Sequence, residues 1–389
     1  MSPAKKQTNK KDEVRRKILD MLQTGQYKPG DRFLSETKLV TLMGCCRSTV
    51  REAIGLLISE GQLTHAQGSG TYVASNKKRR YTIAALFPDI HKEDADKCTI
   101  NIVPPMVSAV IAEARLHNAD VIVNTCGFDH REIERENIKN AIDRRVDAVI
   151  IQYMGEHYNL DVLDELRKSG IPVVFIDRYA GIANPDYAVT DNFAGTYDAV
   201  SAIAELGVDN IYFVSNIDQV TSVKDRMLGY TAAVNSFGLS CNVVYSRIEL
   251  ILGKDYLTVD TNSGEYMCLL KTFDGIKLPA AVFSVNPIIN AVVHSVIENL
   301  EIPNDQIILG HFDPTSPMKG TTDRCYFEVD QPFAEMGTKA VQIAMAKING
   351  NTELQQIVLK PKLTIHNLSS FATARSGMLE VSEEGVGNK

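Results

Sequence analysis

Short segments rich in Val and Ile alternate with helix-length amphipathic segments from residue 81 to about residue 366. This alternation constrains the fold more than any other feature, because successive βαβ units form parallel sheets with helices on both faces. In the first half it predicts strands at residues 82–87, 120–125, 148–152 and 173–176, and helices at residues 103–118, 131–144 and 160–169. The pattern restarts with strands at residues 211–215, 243–246, 281–284 and 307–310. Two such halves predict an α/β body of two doubly wound parallel sheets, with ligands beyond the carboxyl ends of the strands.

A different pattern precedes this body, in residues 29–73. Within residues 47–60, apolar residues recur at helical spacing and predict one buried face formed by Val50, Ala53, Ile54 and Leu57. A shorter predicted helix at residues 36–43 ends at Gly44, a residue type that tolerates positive φ. Residues 62–73 read as two short strands around a Gly-rich turn. Together these elements predict an N-terminal winged helix-turn-helix.

The distribution of charge separates the same two regions. Residues 1–80 carry 16 Lys and Arg against 7 Asp and Glu, whereas the remaining residues carry 25 against 41. A basic head on an acidic body is typical of a protein whose N-terminal region contacts nucleic acid phosphates. Lysines in the first eleven residues supply part of this charge as a solvated tail, so the charge supports DNA binding without establishing it.

The remaining composition excludes several classes of protein. A chain of 389 residues, 44% of them hydrophobic, is long enough for two or three domains with apolar cores. The N-terminus lacks the apolar segment of a signal peptide, and no apolar run approaches the roughly 18 residues of a membrane span. The seven cysteines show neither C-x-x-C spacing nor a zinc set with the eight histidines. We therefore expect a cytoplasmic protein with reduced thiols, no metal and no cofactor.

The head resembles the DNA-binding domain of the GntR family of regulators. The resemblance rests on Pro-Gly at residues 29–30, Ser-Glu at 35–36, R-x-T-V-R at 47–51 and G-x-G-T-[FY]-V at 68–73. Leu34 stands where the family has proline, and Cys46 stands where a serine of the family caps the recognition helix. Because a thiol is a weaker cap than a hydroxyl, we expect a small loss of helix stability at Cys46.

The body resembles the LacI/GalR regulators and the periplasmic sugar-binding proteins over nearly all of residues 81–366. The residues that carry the resemblance are GIPVVFIDR at 170–178, V-T-D-N-x-x-G at 189–195, ELG at 205–207, D-R-x-x-G-Y at 225–230, SVN at 284–286, GHFD at 310–313 and VDQPFAEMG at 329–337. The pairing of a GntR-type head with this body is similar to the arabinose-responsive AraR group. It implies a type I periplasmic-binding-protein-like body with its effector between two lobes.

These patterns divide the chain into four regions. We expect a winged helix-turn-helix domain at residues 1–73, a basic linker at 74–80, an effector-binding body at 81–367 and a flexible tail at 368–389. The first lobe of the body is expected to hold about residues 81–190 and 332–350, and the second lobe about residues 191–331 and 351–367.

The predicted DNA contacts lie on the recognition helix, before the preceding helix and in the wing. Arg47 and Arg51 are one turn apart and can both offer bidentate donors to guanine. Glu36 either accepts from a cytosine amine or orients an arginine, and a purely structural carboxylate is the alternative. Small residues in the wing let backbone amides approach DNA, although plain turn geometry requires glycine as well. The predicted set is Ser35, Glu36, Arg47, Ser48, Thr49, Arg51, Gln67, Gly68, Ser69 and Gly70.

The predicted effector contacts lie at strand ends. Sugars need dense, charged hydrogen bonding and an apolar face against the ring. Asp177 and Arg178 end a strand, and an ordinary surface salt bridge is the alternative. The resemblance implies ligand contacts by Asp177, Arg178, Arg226, Asn286, Asp313 and Gln331. Phe87, Tyr153 and Tyr179 are candidates to pack on the sugar ring, with core or hinge packing as the alternative.

Two of these positions depart from the resembled pattern. The sequence Gly310-His311-Phe312-Asp313 is one residue longer than the G-[FY]-D of the family, so the register at Asp313 is open. Pro287 replaces the aspartate that usually follows the matching asparagine, Asn286. Both departures affect the same predicted wall of the site.

These features predict a transcription regulator, most simply a repressor of carbohydrate-utilisation genes that acts as a homodimer on operator DNA. The resemblance implies a monosaccharide effector, such as L-arabinose or L-fucose, that releases the DNA. A purine or another non-sugar metabolite is the alternative effector, and an architectural DNA binder without ligand is a further alternative. An enzyme is disfavoured because no P-loop, H-E-x-x-H, G-x-S-x-G or dinucleotide fingerprint occurs.

Overall fold

The computed structural model describes residues 10–23, 27–66, 70–74, 80–89, 103–127, 131–155, 158–216, 220–247, 259–313 and 323–372. It divides into two compact units, Met1–Arg80 and Tyr81–Lys389. Three predicted wing residues lie outside the described residues, namely Gln67, Gly68 and Ser69. Most of the predicted linker and residues 373–389 of the predicted tail lie outside them as well.

The N-terminal unit contains three helices and a hairpin: α1 (Lys10–Gln23), α2 (Glu36–Met43), α3 (Arg47–Ser59), β1 (Leu63–Ala66) and β2 (Gly70–Val73). The strands pair antiparallel, with Leu63 opposite Val73. Gly44 ends α2 at φ 60°, where its N–H donates to the carbonyl oxygen of Val40 at 3.0 Å. The predicted winged helix-turn-helix is therefore confirmed.

The core of the head is built from apolar residues of all these elements. The predicted buried face of α3 is confirmed, since Val50, Ala53, Ile54 and Leu57 are its buried residues. They pack with Val14, Ile18, Phe33, Leu39, Leu63 and Val73. Because each such side chain contributes about 1.5–3 kcal/mol on burial, this cluster is what holds the recognition helix in place.

The first half of the body alternates strands and helices as the sequence predicts. Its elements are β3 (Tyr81–Asp89), α4 (Val103–Leu116), β4 (Ala119–Gly127), α5 (Arg131–Asp143), β5 (Ala148–Ile151), α6 (Leu160–Lys168), β6 (Val173–Ile176) and β7 (Asp186–Thr190). All strands of this half are parallel, and their sheet is buried on both faces.

The second half repeats the alternation. Its elements are α7 (Asn192–Glu205), β8 (Asn210–Ser215), α8 (Thr221–Ser236), β9 (Asn242–Tyr245), α9 (Gly264–Phe273), β10 (Ala280–Ser284), α10 (Pro287–Asn299), a 3-10 turn (Asn304–Gln306), β11 (Ile307–Phe312) and β12 (Tyr326–Asp330). The last elements of the described residues are α11 (Phe333–Ile348), β13 (Gln356–Leu359), β14 (Lys362–His366) and α12 (Leu368–Ala372).

These strands form two six-stranded sheets, one in each lobe. The first sheet has the order β13-β7-β6-β5-β3-β4, and the second has the order β14-β12-β11-β10-β8-β9. The first sheet is parallel throughout. The second sheet is parallel except at one edge, where β14 pairs antiparallel with β12. The predicted two-lobed α/β body is therefore confirmed, with one antiparallel edge strand added.

The last crossing between the lobes lies later in the chain than expected. Residues 351–367 were all assigned to the second lobe, but β13 pairs in parallel with β7 of the first sheet, from Gln356 opposite Tyr187 to Leu359 opposite Thr190. The assignment is therefore wrong for β13. The Nζ of Lys347 lies 2.9 Å from Asp186 Oδ2 and donates to the Glu353 carbonyl oxygen, which ties this return segment to the first lobe.

The predicted tail also begins later than residue 368. Residues 368–372 form α12, and Phe371 is buried in the apolar core of the second lobe. An aromatic side chain in that core anchors this segment, so a flexible tail from residue 368 is wrong for these five residues.

Candidate functional sites

The N-terminus of the recognition helix presents two arginines held by one carboxylate. Arg47 Nε donates to Glu36 Oε2 at 2.8 Å. Arg51 donates through Nε to Oε1 at 3.1 Å and through Nη2 to Oε2 at 3.0 Å. Both arginine side chains are exposed, at 67% and 66%. Hydrogen bonds from Arg51 and Arg47 lower the pKa of Glu36 to about 2, so the carboxylate stays ionised.

These contacts bear on the interpretations of Glu36. Each of its oxygens accepts from an arginine, which favours the orienting role over direct acceptance from a base. A carboxylate that restrains a flexible guanidinium lowers the entropy lost when that group binds a base edge. The arrangement is suited to bidentate recognition in a major groove.

The residues that precede the recognition helix differ in how they cap. Ser35 caps α2, since its Oγ accepts from the N–H of Lys38 at 3.3 Å. Cys46 occupies the N-cap of α3 but makes no side-chain hydrogen bond to the backbone of this described helix, which agrees with the weaker cap we expected. Instead its Sγ lies 3.2 Å from Ser48 Oγ and 2.9 Å from Thr49 Oγ1. Hydrogen bonds from these hydroxyls lower the pKa of the exposed thiol to about 7.

At the base of the wing, sequence reasoning missed one cation. Gly70 has φ 119°, and the guanidinium of Arg32 lies against it, with Nε 3.3 Å from the position of a Cβ. Arg32 is exposed and its backbone bridges to Tyr72 of β2. No motif marks Arg32, because the hairpin brings it beside the wing from before α2.

In the first lobe, Asp177 and Arg178 follow the carboxyl end of β6. Asp177 has φ 67°, and its Oδ2 accepts from Gln152 Nε2 at 2.7 Å and lies 3.8 Å from Arg178 Nε. Only 14% of the Arg178 side chain and 9% of the Asp177 side chain are exposed. This low exposure disfavours an ordinary surface salt bridge, because Asp177 is buried and Arg178 is largely covered at a strand end.

In the second lobe, the side chain of Arg226 lies at the centre of the predicted effector residues, which together we call the second-lobe wall. From α8 it donates through Nε to Asn192 Oδ1 at 2.8 Å and through Nη1 to the Val285 carbonyl oxygen at 2.6 Å. Its guanidinium carbon lies 3.7 Å from the centre of the Phe312 ring. Burial lowers the pKa of Arg226, while the charges of Asp313 and Asp177 favour its ionised form. Since Asp177 belongs to the other lobe, the two walls lie within electrostatic reach of each other.

Asp313 directly follows β11 and belongs to this wall. Its Oδ1 and Oδ2 accept from Gln331 Nε2 at 2.8 and 2.9 Å. Burial raises the pKa of Asp313 to about 7, and the charge of Arg226 opposes this rise. The additional residue in Gly310–Asp313 thus does not displace the carboxylate from Arg226 and Gln331. His311 takes up the extra position inside β11, buried and stacked 6.0 Å from Tyr326.

The remaining predicted effector residues have local structural roles. Asn286 caps α10, with Oδ1 accepting from the Ile289 N–H at 2.9 Å, and Pro287 occupies the first helical turn. This position suits proline, which lacks the N–H that a helix start leaves unpaired. The departure at Pro287 therefore has a structural cause.

The aromatic candidates lie in the first lobe. Phe87 and Tyr153 are each 1% exposed and belong to the two apolar clusters that flank the first sheet. Tyr179 stacks on Tyr187 with ring centres 4.6 Å apart. Phe87 and Tyr153 therefore pack in the core, and the ring of Phe312 in the second lobe lies against the guanidinium of Arg226.

Sequence reasoning missed two polar members of the site. Gln152 lies just beyond β5 and binds Asp177, and Asn192 begins α7 and accepts from Arg226. Both carried a signal, because Gln152 ended a predicted strand and Asn192 lies within the V-T-D-N segment. Their partners are 25 and 34 residues away in sequence, so their role depends on the fold.

The described residues contain neither a candidate membrane span nor a candidate metal site. None of the helices in the described ranges is both long and apolar enough to cross a membrane. Within the same ranges, no group of three His, Cys, Asp or Glu residues is placed to hold a metal ion.

Two family models match the chain. The model of the gntR family of bacterial regulatory proteins matches residues 10–73, and the periplasmic binding protein domain model matches residues 102–352. A winged helix-turn-helix head on a two-lobed α/β body defines the class of ligand-binding regulators with a DNA-binding head. Because the second model covers more than half of the chain, this protein belongs to the periplasmic binding protein domain family and carries a GntR-type head.

Several proteins are similar to this chain. The arabinose metabolism transcriptional repressor of Halalkalibacterium halodurans is 23% identical over 95% of this chain and 97% of its own length. The protein of the same name from Geobacillus stearothermophilus is 24% identical over 91% of this chain and 96% of its own length. The structure of a LacI family transcriptional regulator from Enterococcus faecium with bound ribose has a TM-score of 0.57 and 18% identity. The match covers 73% of this chain and 96% of the Enterococcus faecium chain, and this likeness shows that the two share a fold.

Proposed function

We propose that this protein is a sugar-responsive transcriptional repressor whose head binds operator DNA and whose body binds a monosaccharide. The observation that carries the proposal is a largely buried set with balanced formal charge: Asp177 and Arg178 after β6, Arg226 on α8 and Asp313 after β11. Such a set offers charged donors and acceptors to a neutral ligand with many hydroxyl groups. Two relatives that match this chain almost end to end are named arabinose metabolism transcriptional repressors, which makes L-arabinose the first effector to test. L-fucose is the second, because a 6-deoxyhexose would use the same polar set.

The head supplies the groups that DNA recognition needs. Arg47 and Arg51 are exposed and already oriented by Glu36, so each can donate to O6 and N7 of a guanine. Ser48, Thr49 and the helix N-terminus are suited to a phosphate. Arg32 and Gly70 at the wing base supply a further contact to the sugar-phosphate backbone of the DNA. We infer a homodimer, because two recognition helices on successive half-sites multiply the specificity of one.

The coupling between sugar and DNA is proposed to run through the cleft. Asn192 and Gln331 lie in segments that join the lobes, and each is hydrogen bonded to a charged residue of the second lobe. A ligand that binds Arg226 and Asp313 therefore acts on two of the segments that connect the lobes. Closure of the lobes would change the dimer and lower its affinity for DNA. A coupling of about 1–3 kcal/mol is enough to change DNA affinity by 5- to 150-fold.

The effector is tested by thermal unfolding of the full chain with pentoses, hexoses, deoxyhexoses, nucleobases and amino acids. A ligand that binds the native state stabilises it by about 2.7 kcal/mol at 100 times its Kd. We expect L-arabinose to raise the melting temperature of the parent and of the control Arg115→Ala, whose arginine is exposed on α4, but not of Arg226→Ala. A rise in melting temperature with L-fucose alone would identify L-fucose as the effector in place of L-arabinose. A shift by a nucleobase and by no sugar would refute the sugar assignment.

The DNA-binding role is tested by fluorescence anisotropy with a duplex selected from a random library and with its scrambled control. Arg51→Ala is expected to weaken binding to the selected duplex by about tenfold or more, since a bidentate arginine contributes about 1–3 kcal/mol of base discrimination. The control Arg16→Ala, on the exposed side of α1, should weaken binding to both duplexes equally. Added sugar should release the selected duplex, and tighter binding with sugar would contradict the repressor proposal.

A further inference from the structure

Each lobe contains a glutamine–aspartate couple whose two residues follow adjacent parallel strands. The aspartates follow equivalent strands, each third in the order of its sheet, whereas the glutamines follow strands on opposite sides of them. In the first lobe Gln152 follows β5 and Asp177 follows the adjacent parallel strand β6. In the second lobe Asp313 follows β11 and Gln331 follows the adjacent parallel strand β12. Both aspartates have left-handed backbones, with φ 67° and 66°. Each glutamine donates through Nε2 to the aspartate of its couple, at 2.7 Å in the first lobe and at 2.8 and 2.9 Å in the second.

In both couples only the NH2 group of the glutamine amide binds the aspartate. Since Nε2 donates to the carboxylate, Oε1 points elsewhere, and within the described residues no donor reaches Oε1 of Gln152 or of Gln331. The two residues are 1% and 5% exposed. A buried carbonyl oxygen without a donor is unfavourable. Both oxygens belong to glutamines that are hydrogen bonded to an aspartate of the candidate site, so hydroxyl groups of a ligand are the donors that would satisfy them.

We propose that Gln152 is an effector-contacting residue that determines specificity, and that its Oε1 accepts a hydrogen bond from one hydroxyl of the ligand while Gln331 Oε1 accepts from a hydroxyl at the opposite edge. This inference rests on the proposed function and narrows it. The ligand must carry two hydroxyl donors that face different lobes. A site built to pair a hydroxyl discriminates strongly against an analogue that lacks it, because the protein acceptor is then buried without a partner.

A purely structural role for Gln152 makes a different prediction. If Gln152 does no more than position Asp177, its loss weakens every ligand by a similar factor. If Oε1 contacts one hydroxyl, its loss removes the discrimination at that hydroxyl and leaves discrimination at the others. A double-mutant cycle between side chain and ligand therefore separates the two roles.

The experiment is isothermal titration of the full chain with the sugar identified above and with its deoxyfluoro analogues, each replacing one hydroxyl. Fluorine cannot donate a hydrogen bond. The probe is L-arabinose. We expect one deoxyfluoro analogue to bind the parent about tenfold or more weakly than L-arabinose, but to bind Gln152→Met with an affinity within about twofold of that of L-arabinose for the same variant. Gln331→Met should show the same coupling with a different hydroxyl. Gln342→Met, on the exposed face of α11, is the matched control and should behave as the parent.

The outcomes distinguish the inference from the proposed function. Unchanged sugar affinity in Gln152→Met, or an equal loss for every analogue, overturns the specificity role while the sugar assignment stands. A parent that binds no sugar overturns both. The ligand-free melting temperature shows whether the variant folds. If Gln152→Met does not fold, Gln152→Asn withdraws Oε1 by one methylene and must show the same coupling.

Discussion

Replacing Arg226 by methionine is expected to destabilise the body, and to do so more at pH 8 than at pH 5.5. The guanidinium is buried, donates to Asn192 and to the Val285 carbonyl oxygen, and lies within electrostatic reach of Asp313 and Asp177. Methionine fills much of the same space against Phe312 but provides neither the donors nor the charge. The loss in the free energy of unfolding therefore has one part that depends on pH and one part that does not.

The magnitude follows from the state of Asp313. Its pKa is raised by burial to about 7, from an ordinary value of 3.8, so its contribution to stability is present at low pH and is lost as the pH rises through about 7. Without Arg226 that pKa rises further, because the arginine is the main group that lowers it. At pH 5.5 Asp313 is neutral, and the loss is that of the two unpaired acceptors, about 1–3 kcal/mol each. At pH 8 the variant must in addition bury an unpaired carboxylate or take up a proton, and each unit by which the pKa of Asp313 rises adds about 1.4 kcal/mol to the loss.

The assay is urea unfolding of the full chain at both pH values, followed by far-UV circular dichroism and compared with the parent under the same conditions. Arg115→Met, which changes an exposed arginine of α4, is the control and should lose little at either pH. Arg226→Met combined with Asp313→Asn should lose less at pH 8 than Arg226→Met alone, because no unpaired carboxylate then remains at that position. Equal losses at the two pH values would refute the electrostatic reasoning and leave packing as the cause.

Three further predictions test the head and the helix packing. Glu36→Gln should raise affinity for any DNA by removing a negative charge, but reduce discrimination between selected and scrambled duplexes by about tenfold, as measured by anisotropy; unchanged discrimination would mean that Glu36 does not orient the arginines. Cys46→Ser should raise the melting temperature of the head, since a hydroxyl caps a helix better than a thiol, and a lower one would contradict this view of the cap. Gly229→Ala should lose about 1–3 kcal/mol in urea unfolding, because its Cβ would overlap the Phe193 carbonyl oxygen where α7 and α8 cross. Gly55→Ala is the matched control: no atom of the described residues lies within 4 Å of its Cβ, so it should stabilise α3, and a similar loss in both variants would contradict the overlap.

Local patterns determined the elements of this protein and their order. The spacing of Val50, Ala53, Ile54 and Leu57 predicts the face that α3 buries, and the structure buries those four residues. The alternation of Val- and Ile-rich strands with amphipathic helices predicts two parallel sheets, and all strands of the first sheet are parallel. These properties are visible in sequence because periodicity and turn chemistry act over a few neighbouring residues.

Tertiary packing decided what no local pattern carries. Nothing near Gln152 in the sequence indicates that its amide lies 2.7 Å from Asp177, and nothing near β13 indicates that this strand crosses back to pair with β7. The raised pKa of Asp313 arises from burial, which depends on how distant elements pack around it. The sequence by itself determined which helices, strands and charged strand ends exist, because those depend on neighbouring residues. The tertiary structure alone decided which of the strand-end groups meet and which are buried, because both depend on residues brought together from distant parts of the chain.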